Sequence, residues 1–204
     1  MLKEILFVFA AYAMGCLSIG YYLVRLLADE DIRATGSGSA GATNVGREFG
    51  AGGFIATILL DSAKGAGAVW AAFHFGLGAS YAMLILVAVV AGHIWPVQLG
   101  FRGGKGVSPT LGGILIFDSR LAAVLTVLCG IAFIFTRRFA LSGLLAVILA
   151  PGAAWFLGYP PEVWLAMAGL VTILLIAHRE NLQAIAAKNP QSGRIKLPLV
   201  RRAP

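Results

Sequence analysis

The organisation of this chain is clearest around residues 36–47, GSGSAGATNVGR, where small and polar residues interrupt a mostly apolar sequence. No other stretch gathers so many of them beside an apolar run of membrane length. Gly36, Gly38 and Gly41 are expected to adopt positive φ angles and to turn successive backbone N–H groups toward one centre, as in phosphate-binding nests. The pattern therefore predicts an anion site in a loop next to membrane helices.

Polar side chains in the same stretch offer further ligands for an anion. Ser37 and Thr43 carry hydroxyl donors, and Asn44 carries an amide. Arg47 adds a planar fork of donors that matches two phosphate oxygens. Thr43 or Asn44 is also expected to cap a short helix that ends near residues 50–53, with its positive end toward the same anion. The alternative is a flexible Gly/Ser linker, which has no use for these side chains.

The composition places the chain in a membrane. Of its 204 residues 59% are hydrophobic and 12% are charged, and the mean hydropathy is +0.85. A water-soluble domain of this size is far less apolar. Cys16 and Cys129 lie in apolar runs, so no disulfide framework or zinc site is expected. The formal charge of +7 comes without a basic-aromatic nucleic-acid motif, and contact with the membrane explains it.

The apolar runs predict an all-α, polytopic membrane protein that forms a single domain over residues 1–204. A helix needs about 20 apolar residues to cross about 30 Å of hydrocarbon. Six runs meet that length approximately: residues 3–25, 53–74, 79–98, 120–136, 139–157 and 162–178. A seventh, residues 107–117, is short, and Ser108 and Pro109 are expected to be its N-cap and first helical residue. Paired glycines such as Gly112 and Gly113 are expected at close helix contacts.

The distribution of basic residues predicts an external N-terminus and a cytoplasmic C-terminus. With seven crossings, thirteen of the sixteen basic residues fall on the cytoplasmic side: Arg25, Arg33, Arg47, Arg102, Lys105, Arg137, Arg138, Arg179, Lys188, Arg194, Lys196, Arg201 and Arg202. Only Lys3 and Arg120 fall outside, and Lys64 lies within a helix. The asymmetry obeys the positive-inside rule only if the short helix crosses, so it is expected to span.

A second polar cluster, residues 93–108, ends where the short helix begins, and it predicts a second anion site. Gly103 and Gly104 are expected to free the backbone, Lys105 brings a positive charge, and the helix dipole adds to it. His93 is a further candidate ligand, with an ordinary interfacial histidine as the alternative. For Lys105 the alternative is a charge that serves topology alone. The G-x-x-x-x-G-K-[ST] spacing is absent, so nucleotide chemistry is not expected.

Two ionisable residues in the second span, Asp61 and Lys64, are three residues apart and therefore share a helix face. They could neutralise each other, which would make them a functional pair or a helix-helix clamp. Lys64 could instead snorkel to the membrane surface or serve as one more phosphate ligand.

The third cluster lies where the last span ends. His178 and Asn181 share a helix face and could orient a hydroxyl or a phosphate, and His178 could move a proton near neutral pH. A polar helix end that simply meets water is the alternative. The basic tail, about residues 179–204, is expected to meet anionic headgroups.

These motifs, in this order and spacing, resemble the bacterial acyl-phosphate glycerol-3-phosphate acyltransferases, the PlsY family. The matching stretches are GSGSAGATNVGREFG, DSAKG, GHIWPVQLGFRGGKGV and HRENL, and the resemblance extends over nearly the whole chain. The resemblance implies an enzyme of the bacterial cytoplasmic membrane, with its site facing the cytoplasm. It moves a fatty acyl group from acyl phosphate to the 1-hydroxyl of glycerol 3-phosphate, giving lysophosphatidic acid. It uses neither acyl-CoA nor a metal or other cofactor.

The family's phosphate and active-site positions, carried over by this resemblance, fall on residues of all three clusters: Ser37, Thr43, Asn44, Arg47, Lys105, His178 and Asn181. Four positions depart from the usual pattern. Ser39 replaces a common asparagine and Ala40 a common proline, which bears on the rigidity of the loop. Arg102 replaces a usual lysine, and Ala184 stands where an arginine is frequent.

The partners expected are the two small-molecule substrates and the lipid bilayer, with no nucleic acid and no obligate protein partner. A transporter or channel for an organic phosphate is the main alternative, and a lipid-binding scaffold is another. A transporter is expected to show internal repeats with polar residues in both halves, whereas here the polar motifs crowd one face. Two chemical questions stay open. Ser37 could attack covalently, and either His178 or the donor phosphate could accept the hydroxyl proton.

Overall fold

The computed structural model describes residues 2–186, except for the side chains of residues 139, 140 and 184–186. This part of the chain is helical and contains no strand. Its α-helices are α1 (Leu2–Cys16), α2 (Ile19–Ala28), α3 (Ala42–His74), α4 (Ala79–Ile94), α5 (Val107–Phe117), α6 (Ser119–Thr136), α7 (Phe139–Ile148), α8 (Ala150–Phe156) and α9 (Pro161–Ala186). Two 3₁₀ turns, Ile32–Ala34 and Val97–Leu99, lie in the loops that follow α2 and α4. The all-helical class is confirmed.

In the part of the chain that the structure describes, five helical stretches are long and apolar enough to cross a membrane: Leu2–Ala28, Ala42–His74, Ala79–Leu99, Ser119–Thr136 and Pro161–Gln183. Two shorter apolar helices, Val107–Phe117 and Leu141–Phe156, complete the series. The seven segments coincide in position with the seven that the sequence predicts. The basic tail from residue 187 onward lies outside the described residues.

Glycines set the closest helix contacts, as the sequence predicts for Gly65 and Gly112. A Cβ added to Gly65 would overlap the carbonyl of Pro109, and one added to Gly112 would overlap the carbonyl of Ser62. Helices α3 and α5 therefore touch through their backbones. Small residues allow such an approach in a membrane, where packing replaces the hydrophobic driving force. The short α5 is thereby fixed against the long α3.

Helix α3 contains the short helix that the sequence predicts, but its cap is different. Gly50 breaks the helix with φ 75° and ψ −169°, so residues 42–49 form a separate segment in front of the long span. The N-cap is Gly41, and the expectation that Thr43 or Asn44 would cap the helix is wrong. The amide of Asn44 has other partners, described below, and Thr43 already lies inside the first turn.

Two other boundaries also differ from the sequence prediction. Helix α5 begins at Val107 after the N-cap Gly106, whose φ of 83° is left-handed, so Ser108 is not the cap and Pro109 is not the first helical residue. Glycine adopts this conformation without a Cβ clash, which lets the helix start two residues early. The predicted span 139–157 divides into α7 and α8, because Pro151 near the start of α8 cannot donate a helical hydrogen bond.

Candidate active site

The loop after α2 has the predicted backbone at two of its three glycines. Gly36 has φ 54° and Gly38 has φ 69°, both left-handed. Gly41 is extended, with φ −82° and ψ 160°, so the expected positive φ is wrong there. Gly41 places the start of α3 beside the second loop: a Cβ at this position would lie 3.9 Å from Gly104 Cα and 3.9 Å from Lys105 N, which is ordinary contact distance.

Asn44 holds this loop in shape with its side chain. Its Oδ1 accepts a hydrogen bond from the Ser37 N–H at 2.8 Å. Its Nδ2 donates to the carbonyls of Ile32 at 3.0 Å and Thr35 at 3.1 Å. The residue is buried, and both ends of its amide are bonded within the loop. Asn44 was expected to bind substrate, and in this structure it binds the loop itself.

The backbone nest that the sequence predicts is smaller than expected. Internal acceptors take the N–H groups of four loop residues: Ser37, Gly38, Ala40 and Gly41. Among the described residues, nothing accepts a hydrogen bond from the N–H groups of Ala42 and Thr43 in the first turn of α3. A helix N-terminus with free donors favours an anion. The anion-binding capacity of this loop therefore lies mainly at the start of α3.

The two loops that the sequence treats as separate anion sites form one surface. Ala40 N donates to Gly103 O at 3.1 Å, which a proline at position 40 could not do. Arg33 Nη1 donates to Leu99 O at 2.7 Å. The sequence indicates Arg33 only as a topological charge, and this bridge was missed because nothing in the local pattern points to a carbonyl 66 residues away. Hydrogen bonds from Arg33 also lower the pKa of the Asp31 carboxyl.

Gly103 and Gly104 are needed for close approach rather than for a free backbone. Gly103 N donates to Ile94 O and Gly104 N donates to His93 O, each at 3.0 Å. A Cβ at Gly103 would overlap the His93 carbonyl, and a Cβ at Gly104 would overlap the His93 ring. Their N–H groups are thus bonded to the end of α4. Gly103 and Gly104 were expected to free the backbone at an anion site, and in this structure they fix the loop to α4 instead.

Lys105 joins the second and third clusters. Its Nζ donates to Asn181 Oδ1 at 2.7 Å, so the loop before α5 is connected to α9. Burial lowers the pKa of Lys105, the exposed Glu180 carboxylate opposes this change, and the nearby Arg47 guanidinium lowers the pKa further. Glu180 was not among the predicted residues, although it lies between His178 and Asn181 in the HREN motif. Arg47 and Lys105 therefore face each other as like charges.

Arg47 has no carboxylate to balance it. Within residues 2–186 its half-buried side chain forms no hydrogen bond or ion pair, and its Nε is buried without a partner. An unpaired buried charge costs free energy that a bound anion would recover. Arg47 and Lys105 together therefore form a positively charged site that a bound anion would stabilise.

His178 is buried in the same neighbourhood, with one ring nitrogen used and the other free. Its Nδ1 lies 2.9 Å from Leu174 O. Because a carbonyl only accepts, Nδ1 carries the hydrogen, and the neutral ring presents a lone pair at Nε2. Nε2 is buried and has no partner among the described residues. His178 is therefore arranged to accept a hydrogen bond from a bound hydroxyl.

The remaining predicted residues divide between the surface and the bundle interior. Ser37 is exposed and Thr43 half-buried, and the Ser37 hydroxyl has no hydrogen bond to any base in the described chain. Lys64 pairs with Asp61 at 2.9 Å, so the predicted neutralisation is confirmed and the snorkelling alternative is wrong. His93 lies with this pair. The structure thus brings Lys64 and His93 to each other rather than to the loop surface.

No group of three or more His, Cys, Asp or Glu side chains with the arrangement of a metal site occurs in the described residues. What gathers at this end of the bundle instead is positive charge, free helix-terminal N–H groups and one imidazole lone pair. This combination can hold phosphate groups and align a hydroxyl.

Comparison with known proteins gives one consistent result. The family model for glycerol-3-phosphate acyltransferase matches residues 5–188. Glycerol-3-phosphate acyltransferase 1 of Desulfitobacterium hafniense (strain Y51) is 44% identical over 191 residues, covering 94% of this chain and 95% of its own. Glycerol-3-phosphate acyltransferase of Rhodopseudomonas palustris (strain BisB5) is 40% identical over 174 residues, covering 85% and 88%.

Solved structures resemble the whole fold. The glycerol 3-phosphate form of PlsY (YgiH), an integral membrane glycerol 3-phosphate acyltransferase, has a TM-score of 0.86 and 29% identity, covering 95% of this chain and 96% of its own. The lysophosphatidic acid form of PlsY has a TM-score of 0.82 and 28% identity, with 94% and 95% covered.

Proposed function

This chain belongs to the glycerol-3-phosphate acyltransferase family, and on that premise we propose that its donor is an acyl phosphate. The acyl group passes to the 1-hydroxyl of glycerol 3-phosphate and gives lysophosphatidic acid. The observation that carries the proposal is the pair Arg47 and Lys105, two neighbouring cations without a balancing ion pair in the described chain. A reaction between two phosphate-bearing substrates supplies the anions that this pair lacks.

The two cations and the start of α3 hold the phosphates. Both substrates are anionic and repel each other, so the site must supply positive charge before it supplies a nucleophile. Asn181 accepts from Lys105 and thereby aims the ammonium group. The free N–H groups of Ala42 and Thr43 add donors at the positive end of a helix. Ser37, which lies on the same exposed loop, contributes a hydroxyl donor.

The chemistry needs no protein nucleophile. Acyl phosphate is a mixed anhydride with phosphate as its leaving group. The hydroxyl oxygen bonds to the carbonyl carbon, the bond from that carbon to the phosphate oxygen breaks, and the proton lost by the hydroxyl ends on the departing phosphate. The structure gives the Ser37 hydroxyl no base among the described residues, which argues against a covalent acyl-serine.

His178 orients the attacking hydroxyl. Its Nε2 lone pair accepts the hydroxyl hydrogen bond and points the oxygen toward the carbonyl carbon. The donor phosphate then takes the proton, because the leaving group must carry it in the product. The contact between Nδ1 and Leu174 O supports this accepting role, because it leaves Nε2 without a hydrogen.

We also propose that residues 1–204 form one membrane-embedded domain with seven crossings, an external N-terminus and a site on the cytoplasmic face of the bacterial inner membrane. The convergence of three motifs at one end of the bundle and the charge asymmetry support this arrangement. A transporter is not favoured, since the family consists of acyltransferases.

A single assay tests the activity. Purified protein in lipid nanodiscs receives labelled glycerol 3-phosphate with either palmitoyl phosphate or palmitoyl-CoA, and lysophosphatidic acid is measured. We expect product only with palmitoyl phosphate. Equal turnover with palmitoyl-CoA, or none with either donor, would contradict the proposal.

Impermeant thiol labelling in spheroplasts tests the orientation, starting from a chain in which Cys16 and Cys129 are replaced by serine. A cysteine at Ser192, which lies beyond the described residues, should react only after the membrane is opened. A cysteine at Gly78, the N-cap of α4, should react in intact spheroplasts. Labelling of both from the same side would contradict the seven-crossing arrangement.

A further inference from the structure

A buried polar cluster beneath the candidate site consists of Asp61, Lys64 and His93. Lys64 Nζ lies 2.9 Å from Asp61 Oδ1 and 2.9 Å from His93 Nδ1. The exposed fractions of the three residues are 1%, 8% and 3%. Asp61 and Lys64 belong to α3 and His93 to α4, so the cluster joins two helices. Groups of this polarity are expensive inside a membrane bundle and are retained for a purpose.

Lys64 also secures a third helix. Its Nζ donates to Gly15 O at 3.0 Å and to Leu17 O at 2.8 Å, where α1 ends before α2 begins. Carbonyls at a helix C-terminus lack intrahelical donors, and an ammonium group satisfies them. With the carboxylate, the imidazole and two carbonyls as neighbours, Lys64 has no donor left for a substrate. Lys64 therefore holds the helices together and does not act as the phosphate ligand that the sequence suggested.

The outer edge of the His93 ring supports the loop that carries Lys105. Because an ammonium group donates and never accepts, Nδ1 is the acceptor and the neutral ring carries its hydrogen on Nε2. That Nε2 edge packs against Gly104, where a Cβ would overlap it. On the backbone side, His93 O accepts from Gly104 N at 3.0 Å. His93 thus holds Gly104 from two directions, one residue before Lys105.

We propose that Asp61, Lys64 and His93 are positioning residues that set the location of Lys105 by fixing the His93 ring beneath Gly104. Asp61 and Lys64 hold the His93 ring in place, and the ring sets how close the loop with Gly104 and Lys105 lies to the interior of the bundle. The cluster touches no substrate. It acts on substrate affinity through the loop, and this inference rests on the proposed role of Lys105 in binding phosphate.

The kinetic consequence is a change in KM rather than in turnover. His93→Asn keeps an oxygen near the position of Nδ1 for Lys64 and removes the Nε2 edge that supports Gly104. The bundle should stay folded while the loop shifts. Because the displaced loop carries the phosphate-binding Lys105 and not the reacting groups, we expect the KM for glycerol 3-phosphate to rise about tenfold and kcat to change less than about threefold.

Two adjacent glycines provide a matched pair for a second test. Gly104→Ala places its Cβ against the His93 side chain, whereas Gly103→Ala places its Cβ against the His93 carbonyl. Each substitution alone should raise the KM about 100-fold, well above the effect of His93→Asn, because the loop must move by about 1 Å. Adding His93→Asn removes the ring but not the carbonyl. It should therefore return the KM of Gly104→Ala to that of His93→Asn alone and leave the KM of Gly103→Ala unimproved.

The selective rescue is the result that a general packing role would not produce. Melting temperatures in detergent are measured for all variants, with Gly113→Ala, which meets Leu86 within the bundle, as a packing control. Equal rescue of both glycine variants, or of neither, would overturn the proposal, as would a His93→Asn protein with unchanged KM. If the unaltered protein makes no lysophosphatidic acid, the proposed function fails instead, so the two failures are distinguishable.

Discussion

Lys64 and Lys105 sit on neighbouring elements, yet the protein surrounds them in opposite ways. Lys64 lies inside the bundle, paired with Asp61 at 2.9 Å and bonded to two carbonyls. Lys105 lies at the end of the bundle, bonded to the neutral amide of Asn181 at 2.7 Å, with the exposed Glu180 carboxylate and the positive Arg47 nearby, and it forms no ion pair in the described chain. One charge is neutralised within the fold, and the other is left for a ligand.

The difference teaches how to assign charged residues in a membrane protein. A polar residue at membrane depth is expected to be important, but its polarity does not show whether it stabilises the fold or binds a ligand. The distinction comes from the partners. A lysine with all its donors used stabilises the fold, whereas a lysine beside an unpaired arginine raises the free energy of the empty protein. A protein is expected to keep a lysine beside an unpaired arginine only where an anion binds to them during function.

The largest effect is expected on stability, from Lys64→Met. Removing one partner of a buried pair leaves Asp61 as an uncompensated charge, at a cost of about 3 to 5 kcal/mol. The double variant Asp61→Asn with Lys64→Met removes both charges and should recover much of that loss. Thermal and denaturant unfolding in detergent would measure it. A double variant less stable than Lys64→Met would show that Lys64 is not neutralised by Asp61.

The next effect is on catalysis, from Lys105→Ala and Arg47→Ala. Each removes a charge-assisted phosphate contact worth about 1.5 to 3 kcal/mol, which corresponds to a fall of about 10-fold to 150-fold in kcat/KM. Arg102→Ala is the matched control, because it deletes the same charge from the exposed part of the same loop. We expect its kinetics to stay within about threefold of the unaltered enzyme. Equal losses in all three would mean that net charge alone matters.

A smaller effect is expected from His178→Gln. If Nε2 only accepts the hydroxyl hydrogen bond, the glutamine oxygen can replace it, and turnover should persist with a KM raised by about tenfold. The measurement is a full kinetic profile with both substrates varied. A folded, substrate-binding but inactive His178→Gln would assign the proton to His178 as a general base.

The smallest effect concerns pH. Burial lowers the pKa of Lys105, so its positive charge is lost at a lower pH than for an ordinary lysine. Phosphate affinity should therefore weaken on the alkaline side as Lys105 deprotonates. Lys105→Arg keeps its charge throughout, and its alkaline limb should lie at a higher pH. Identical alkaline limbs in normalised pH profiles would show that Lys105 does not control binding there.

The sequence predicts the helical segments and the clusters well, because apolar runs and glycine-rich motifs are local patterns. Seven apolar segments appear in the predicted order, and the short helix before Gly50 is present. The sequence could not predict which residues cap the helices. Gly41 and Gly106 cap α3 and α5, because contacts with other loops decide where those helices begin. Such contacts are distant in the chain.

The sequence predicts which residues form the site, but it does not predict the role of each one. Lys105, His178 and Asn181 come together where the loop before α5 meets the end of α9, and Arg47 in the first segment of α3 lies close enough to act on the Lys105 charge. Asn44 builds the loop, Lys64 and His93 lie beneath it, and Arg33 bridges it to Leu99. These roles depend on which backbone carbonyls come within reach, and residue types alone do not specify that.

The central claim is that Arg47 and Lys105 are left unneutralised in order to bind substrate phosphate. Isothermal titration of glycerol 3-phosphate into the purified protein tests this without any chemistry. We expect the unaltered protein and Arg102→Ala to bind with similar Kd. The double variant Arg47→Ala with Lys105→Ala should remain folded and bind at least about 100-fold more weakly. A folded double variant with unchanged Kd would contradict the account.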